Sequence, residues 1–240
     1  MIILNEHLGQ EADEVADKLN ETYGFSPWID CKTHDFFDKF LTCVQRPTDL
    51  PKGILSTSLE LRRKLKDEYG KDKKVLVLTQ RDIFDSDNPN HVDFDEDWLF
   101  SFSFGKLSMI STARLKRPDN KPSNELQVSE DLYMKRLQAL AVGEIGLGFI
   151  HNPAHFKDAI WVNTTKGNRL KLGPSCTNNS CAMYGVVDIK APHADEGYML
   201  LGKEKRYDAG LDNLLERLGD RPDWLCKRCR DSVKVGKEYL

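Results

Sequence analysis

The sequence lacks an apolar run long enough to cross a bilayer, and Met1-Ile-Ile-Leu-Asn5 turns polar before a signal peptide could form. It also lacks a block of basic residues, because 35 lysines and arginines are spread among 38 acidic residues. Proteins that track nucleic acid need clustered basic side chains. We therefore expect a cytoplasmic protein whose partner is neither a membrane nor a nucleic acid.

No internal repeat or low-complexity segment is present, and 40% of the 240 residues are apolar, which is ordinary for a globular chain. A chain of this length can bury one sizeable core. We predict a single domain that spans residues 1–240.

Four of the six cysteines form two closely spaced pairs, Cys176 with Cys181 and Cys226 with Cys229. In a reducing compartment such pairs are expected to be thiols or metal ligands rather than disulfides. Two short turns can supply four thiolates to one tetrahedral zinc with no open position, as in a structural site. A redox role is less favoured, because the surrounding pattern is not a thioredoxin-type start of a helix. Small buried side chains are expected at the other two, Cys31 and Cys43.

Hydrophobic periodicity predicts alternating strands and helices. A strand at 2–4 leads into a helix whose apolar residues recur from Ala12 to Tyr23, and a second helical pattern covers 55–69. The continuous apolar run at 75–78 predicts a central strand covered on both faces. This order of elements is typical of an α/β fold.

The next part of the chain predicts a hairpin and a long helix. Residues 98–104 alternate large apolar residues with serine, which indicates a strand with one buried face, and 107–111 is its expected partner. The acidic segment 85–97 is expected to be an exposed, mobile loop. Ser129 is a predicted N-cap, with Glu130 following it in the first turn.

In their order, these features resemble the archaemetzincins, which are zinc-protease-like members of the metzincins. The matching motifs are Arg81-Asp-Ile-Phe84, the Phe104-Gly105 turn, the helix at 130–147, Cys176-x4-Cys181-Ala-Met183 and Cys226-Lys-Arg-Cys229. The resemblance implies an α/β fold of zincin type, with a twisted mixed sheet, a former active-site helix and a C-terminal part held by a four-cysteine zinc site. It also implies that Met183 is an apolar Met-turn residue.

Metzincins carry HExxHxxGxxH, in which three histidines hold a zinc and the glutamate acts as general base. Aligned on Glu144, the three histidine positions hold Gly143, Leu147 and Pro153, and the glycine position holds Ile150. The side chains of glycine and leucine offer no electron pair to a metal. The resemblance therefore implies that the catalytic zinc is absent, that Glu144 is vestigial, and that this pseudo-peptidase acts in binding or in a structural role.

Glycines should also shorten the predicted helix. Gly143, Gly146 and Gly148 each cost about 1 kcal/mol relative to alanine in a helix interior. We expect this helix to fray or to end near Gly146.

Two other functions stay open. The first is an active zinc metallopeptidase with a rearranged site, in which Glu144 is the base and His151, His155 or His193 are ligands, although Pro153 would disrupt a helix that joined the first two. The second is a zinc-knuckle adaptor for protein or nucleic acid. Its basic contacts would be Lys227, Arg228 and Arg230.

Compared with the family, the chain carries two extra stretches, at about 154–175 and 184–225. Within the first, 160–163 and 168–172 are expected to form a hairpin. Within the second, leucines recur at helical spacing from Leu211 to Leu218. Both stretches flank the old cleft and could cover it or bind a protein or peptide partner.

Overall fold

The structure is a computed structural model that describes residues 1–6, 8–31, 43–44, 50, 53–55, 58–70, 72–84, 98–104, 106–149, 160–163, 169–172, 176–186, 198–200, 206–207 and 210–237. The chain divides into two compact units, Met1–Gly148 and Phe149–Leu240. The single domain and its insertions at 154–175 and 184–225 stay predictions. Segment 85–97 lies outside the described residues.

Strands and helices alternate through the first unit. Its strands are β1 (Ile2–Asn5), β2 (Trp28–Asp30), β3 (Cys43–Val44), β4 (Gly53–Leu55), β5 (Val75–Thr79), β6 (Asp82–Phe84), β7 (Trp98–Leu99), β8 (Ser101–Phe104) and β9 (Leu107–Ser111). Its helices are α1 (Glu11–Tyr23), α2 (Ser58–Tyr69) and α3 (Glu130–Phe149), whose last residue begins the second unit.

The described strands of the first unit form two sheets. In the larger sheet the order is β2-β1-β5-β9-β8, and every neighbouring pair is parallel except β8 with β9. The smaller sheet has the order β3-β4-β6-β7. The mixed α/β architecture predicted from the sequence is confirmed. All residues of β5 are buried, as expected for a central strand.

One face of the larger sheet packs under α2. Alternate residues of β1, β5 and β9 form this cluster with Leu65 of α2 and Ile83 of β6. Burying one such aliphatic side chain contributes about 1.5–3 kcal/mol. The cluster therefore holds the two sheets and α2 together.

The opposite face of the larger sheet contacts α3. Ser108 faces away from Leu107 and Met109 because side chains alternate along a strand, and its hydroxyl contacts the backbone of Glu144. A second tie runs from the Tyr23 hydroxyl of α1 to the carbonyl of Val142, at 2.5 Å. These contacts place α3 against this face of the sheet and beside α1.

Helix α3 does not end near Gly146, so that expectation is wrong. The helix begins after Ser129, whose hydroxyl accepts a hydrogen bond from the Leu132 amide as predicted for an N-cap, and it continues to Phe149. Val142 and Ile145 are fully buried within the glycine-rich part. The burial of such side chains outweighs about 1 kcal/mol lost at each glycine.

The predicted strand at 98–104 is divided at Phe100. β7 pairs with β6 in the smaller sheet, whereas β8 pairs with β9 in the larger one. Trp98 packs edge-on against Phe100, and the Arg114 guanidinium lies 4.6 Å from the centre of the Trp98 ring. The predicted hairpin of β8 and β9 is confirmed, whereas Trp98 and Leu99 belong to the smaller sheet.

Charged side chains are buried where the parallel strands end. Arg114 donates two hydrogen bonds, of 2.9 and 2.8 Å, to the fully buried carboxylate of Asp82. Arg81 donates to Glu6 at 2.7 Å, and Glu6 also accepts from the Thr79 hydroxyl. A buried charge is tolerated only when it is paired in this way, so these contacts fix the loops that follow β1, β5 and β9.

The second unit contains the predicted hairpin and helix. Its elements are β10 (Ile160–Asn163), β11 (Arg169–Leu172), β12 (Tyr198–Leu200), β13 (Arg206–Tyr207), α4 (Leu211–Leu218) and α5 (Lys227–Lys237). β10 pairs antiparallel with β11, and the described strands have the order β11-β10-β12-β13. Helix α4 buries Leu211, Leu214 and Leu218, as its leucine spacing predicted.

Of the two cysteines outside the closely spaced pairs, the structure describes the side chain of Cys31 alone. Cys31 is exposed, so the prediction that it is buried is wrong, because it follows the short edge strand β2 rather than pointing into the core. The side chain of Cys43 lies outside the described residues. No helix among the described residues is both long and apolar enough to cross a membrane.

Candidate functional site

The four paired cysteines come together in the second unit. The sulfur atoms of Cys176, Cys181, Cys226 and Cys229 all lie within 4.8 Å of one another. The Sγ atoms of Cys176 and Cys226 are 3.7 Å apart. A tetrahedral ion with metal–sulfur bonds of about 2.3 Å separates its ligand sulfurs by about 3.8 Å. The group thus has the size of a site for a single metal ion.

Other metal centres fit this spacing poorly. Clusters of two or four irons distribute their cysteine ligands over different irons, so the sulfurs lie further apart than in a single-ion site. Four thiolates with tetrahedral spacing favour zinc or a single iron. No fifth side chain is needed, because four sulfurs complete the coordination.

Backbone hydrogen bonds position the first cysteine pair. The Cys176 amide donates to the Met183 carbonyl at 2.8 Å, and the Tyr184 amide donates to the Cys181 carbonyl at 2.8 Å. The chain therefore folds back on itself between the two thiols. Met183 is 1% exposed, in agreement with its predicted apolar role.

The second pair lies at the start of α5. The Arg230 amide donates to the Cys226 carbonyl at 3.0 Å, the first hydrogen bond of the helix, so Cys226 precedes the first turn and Cys229 lies within it. The Cys226 amide points at the sulfur of Cys181, at 3.4 Å. A helix N-terminus carries a partial positive charge that favours thiolates over thiols.

Contacts other than sulfur also join the two cysteine pairs. The Ala182 amide donates to the Trp224 carbonyl at 2.8 Å. From α4, Arg217 donates to the Asn179 carbonyl at 2.6 Å, and Arg221 nearby donates to the Ser180 carbonyl at 2.9 Å. The thiols are therefore held in place by a framework of backbone carbonyls, so a metal would meet a largely formed site.

Close approach of the thiols separates their pKa values. Hydrogen bonds from Cys181 and Cys229 lower the pKa of Cys176, because they stabilise its thiolate. The same hydrogen bonds to Cys176 raise the pKa of Cys181 and of Cys229, because ionising a second sulfur beside a thiolate is unfavourable. A divalent cation would offset the repulsion between neighbouring thiolates, because its positive charge attracts all four of them. The donor set therefore fits a metal dication.

Glu144 occupies a separate polar cluster in the first unit. Its Oε1 accepts a hydrogen bond of 2.7 Å from Ser101, and its Oε2 accepts one from Ser103, both on β8. Ser108 of β9 lies 2.7 Å from the Ser103 hydroxyl. Both carboxylate oxygens are thus engaged by the sheet beneath the helix.

Electrostatics in this cluster follow from burial. Burial raises the pKa of the Glu144 carboxyl above 4.5, although hydrogen bonds from Ser103 and Ser101 and the charge of Lys74 act in the opposite direction. Burial likewise lowers the pKa of Lys74 from 10.5 to about 8, opposed by the negative charge of Glu144. The two groups are therefore buried ionisable neighbours that partly compensate each other.

Sequence reasoning singled out Glu144 but not its partners. Ser101 and Ser103 share one face of β8 because they are two residues apart. Lys74 precedes the predicted central strand and gave no signal. The serine alternation could have indicated a polar stripe, but only the pairing of β8 with β9 and the position of α3 show that it meets a glutamate.

The proposed alternative ligands cannot be placed. His151, His155 and His193 lie outside the described residues, as do the other three histidines. Within the described part of the chain, no second group of three or more histidine, cysteine or acidic ligands lies close enough to hold a metal ion.

The chain resembles three solved structures. They are archaemetzincin from Methanopyrus kandleri (TM-score 0.52, 15% identity, 99% of this chain and 94% of that one), a zinc-dependent peptidase from Methanocorpusculum labreanum (0.47, 14%, 97% and 98%), and archaemetzincin from Archaeoglobus fulgidus with malonate (0.46, 15%, 97% and 99%). No protein-family model and no curated protein sequence matches the chain. The likeness to the Methanopyrus kandleri structure, which spans almost the whole of both chains, shows that this chain has an archaemetzincin-like fold.

Proposed function

We propose that this chain is an archaemetzincin-like pseudo-peptidase that has lost the catalytic zinc ligands, keeps a structural zinc at its four cysteines, and acts by binding a protein or peptide partner or in a structural role. The observation that carries this proposal is the environment of Glu144. Its helix neighbours are Gly143 and Leu147, which cannot bind metal, and both of its carboxylate oxygens accept hydrogen bonds from serines.

A zinc peptidase needs its glutamate to take a proton from a metal-bound water. A general base must reach that water at hydrogen-bond distance. The Glu144 carboxylate is instead directed to Ser101 and Ser103 on β8. This geometry supports a structural role for Glu144, which ties α3 to the sheet.

The four-cysteine site supports the second part of the proposal. Its sulfur spacing suits a tetrahedral ion, and four thiolates leave no position for a substrate or a reactive water. Zinc is the ion we assign, because it prefers tetrahedral thiolate sites and takes no part in redox chemistry. A zinc held by reduced thiols also suits the cytoplasm, where we place the protein.

A peptide-cleavage assay tests the loss of activity. Quenched fluorescent peptides of varied sequence are incubated with the zinc-loaded chain, with the Glu144→Gln variant and with buffer. We expect equal, background rates in all three. Cleavage that stops both in Glu144→Gln and under a chelator that leaves the cysteine-bound zinc in place would establish an active peptidase and contradict the proposal.

A further inference from the structure

Three of the four cysteines line an open cleft, and the fourth does not. The cleft has a volume of about 340 Å³. Cys181 is 0% exposed and is not part of the lining, whereas Cys226 is the most accessible of the four. The cleft is lined by Cys176, Thr177, Asn178, Cys226, Lys227, Arg228, Cys229 and Ser232. A small polar molecule can therefore reach part of the metal site from solvent.

Two sulfurs on this cleft are close neighbours although they come from different segments. Cys176 begins the first turn, Cys226 precedes α5, and their Sγ atoms are 3.7 Å apart. A disulfide bond is about 2.05 Å long, so the two sulfurs would have to approach by about 1.7 Å.

We propose that Cys176 and Cys226 form an oxidation site, at which hydrogen peroxide entering the cleft joins the two sulfurs in a disulfide and releases the zinc. This inference rests on the zinc assigned in the proposed function. Cys181 and Cys229 are then the two remaining thiolates, which is too few for a closed tetrahedral site.

The reaction balances with peroxide as the oxidant. One thiolate attacks a peroxide oxygen, the O–O bond breaks, and the products are a sulfenic acid and hydroxide. The second thiolate attacks the sulfenic sulfur, the S–S bond forms, and a second hydroxide leaves. Two protons from solvent convert both hydroxides into water, so two thiolates lose the two electrons that one peroxide gains.

The rest of the framework survives this change. The hydrogen bond from Ala182 to Trp224 and those from Arg217 and Arg221 to backbone carbonyls involve no sulfur. The disulfide itself replaces one of the links that the metal made between the two segments. Oxidation therefore changes the surface of the cleft, while α4 stays joined to the segment between Cys176 and Cys181.

The experiment uses the full chain, purified with zinc, in its natural form and as Cys31→Ser, which removes an exposed thiol of the first unit. Zinc is counted before oxidation. Both proteins are then titrated with hydrogen peroxide, released zinc is measured with a chromogenic chelator, and disulfides are located by peptide mapping. Circular dichroism records whether the fold persists.

We expect one zinc to be released for each Cys176–Cys226 disulfide in both proteins, with the helical signal kept and zinc binding restored by dithiothreitol. Retention of zinc at peroxide levels that fully oxidise Cys31 would overturn the proposal. So would a disulfide between any two of the four cysteines other than Cys176 and Cys226. A chain that holds no zinc before peroxide is added would instead refute the zinc assignment itself, and this inference with it.

Discussion

Ser101 on β8 donates a hydrogen bond of 2.7 Å to Oε1 of Glu144 on α3. Glu144 is therefore hydrogen-bonded to the outermost described strand of the larger sheet. Ser103 binds the other carboxylate oxygen. These two hydrogen bonds tie α3 to β8.

Removing Glu144 should destabilise the first unit. Glu144→Ala removes the carboxylate that accepts hydrogen bonds from Ser101 and Ser103, while Ser103 keeps its contacts with the Ser108 hydroxyl and the backbone carbonyl of residue 144. We expect the loss of the carboxylate to lower the unfolding free energy by about 1–3 kcal/mol. We expect Glu144→Ala to lower the unfolding free energy by less when Ser101 and Ser103 are already alanine, because the three side chains form one network. Urea denaturation of the natural chain, of Glu144→Ala, of the double serine variant and of the combined variant gives the coupling free energy between Glu144 and the serines. Glu125→Ala, at an exposed glutamate, is the control and should change the unfolding free energy little. If the effects of Glu144→Ala and of the serine changes simply add, the three side chains do not form one network.

The stability of the chain should depend on the protonation of Glu144. Burial raises the pKa of its carboxyl in the folded protein above 4.5, so the folded state binds the proton more tightly than the unfolded state does. Stability from this group is complete below pH 4.5 and is lost as the pH rises through the folded pKa.

Glu144→Gln removes this titration while it keeps the shape of the side chain. We expect the unfolding free energy of the variant, relative to the natural protein, to increase with pH above 4.5 and then to level off. Urea titrations at a series of pH values measure it. A difference that is constant with pH would show that Glu144 has no raised pKa.

Lys74 should make the stability of the folded chain increase with pH in the alkaline range, the opposite of the effect of Glu144. Its pKa is lowered from 10.5 to about 8 by burial, so the unfolded chain binds more protons between these values and stability rises with pH there. The gain is up to about 3 kcal/mol, at about 1.4 kcal/mol per unit. Lys74→Met should lack the gain, whereas Lys73→Met, at the exposed neighbour, should keep it. Parallel curves for all three proteins would refute this assignment.

Breaking the buried ion pair between Arg114 and Asp82 should lower the unfolding free energy far more than breaking an exposed ion pair. Arg114→Met leaves the Asp82 carboxylate buried without its guanidinium, which typically costs about 3–5 kcal/mol. Arg117 pairs with Asp119 at the surface, where solvent screens the pair, and Arg117→Met should change the unfolding free energy little. Thermal and urea unfolding compare the two variants, and equal losses would contradict the distinction.

The sequence predicted those parts of the fold in which a local pattern dominates. Apolar periodicity placed α1 and β5, and leucine spacing placed α4, because burial of one face decides these elements. It failed for α3, where tertiary packing of Val142 and Ile145 overrides the local cost of glycine. The division of the strand at Phe100 reflects the pairing of β7 with β6 and of β8 with β9, which no local pattern reports.

The candidate sites were predictable to different extents. Spacing alone paired the four cysteines, because short chelating turns have few other uses. The partners of Glu144 depend on where α3 crosses β8, so Ser101, Ser103 and Lys74 could be found only in three dimensions. The histidines lie outside the described residues, so the prediction of a lost catalytic zinc is tested by counting the metal ions bound per chain.

The most direct test of the account is the number of zinc ions per chain, measured by elemental analysis on protein purified without chelator, beside a Cys226→Ser, Cys229→Ser double variant. We predict one zinc in the natural chain and none in the variant, because the variant lacks both thiols at the start of α5. Two zincs, one of which survives in the variant, would show that a second site exists and would contradict the loss of the catalytic metal.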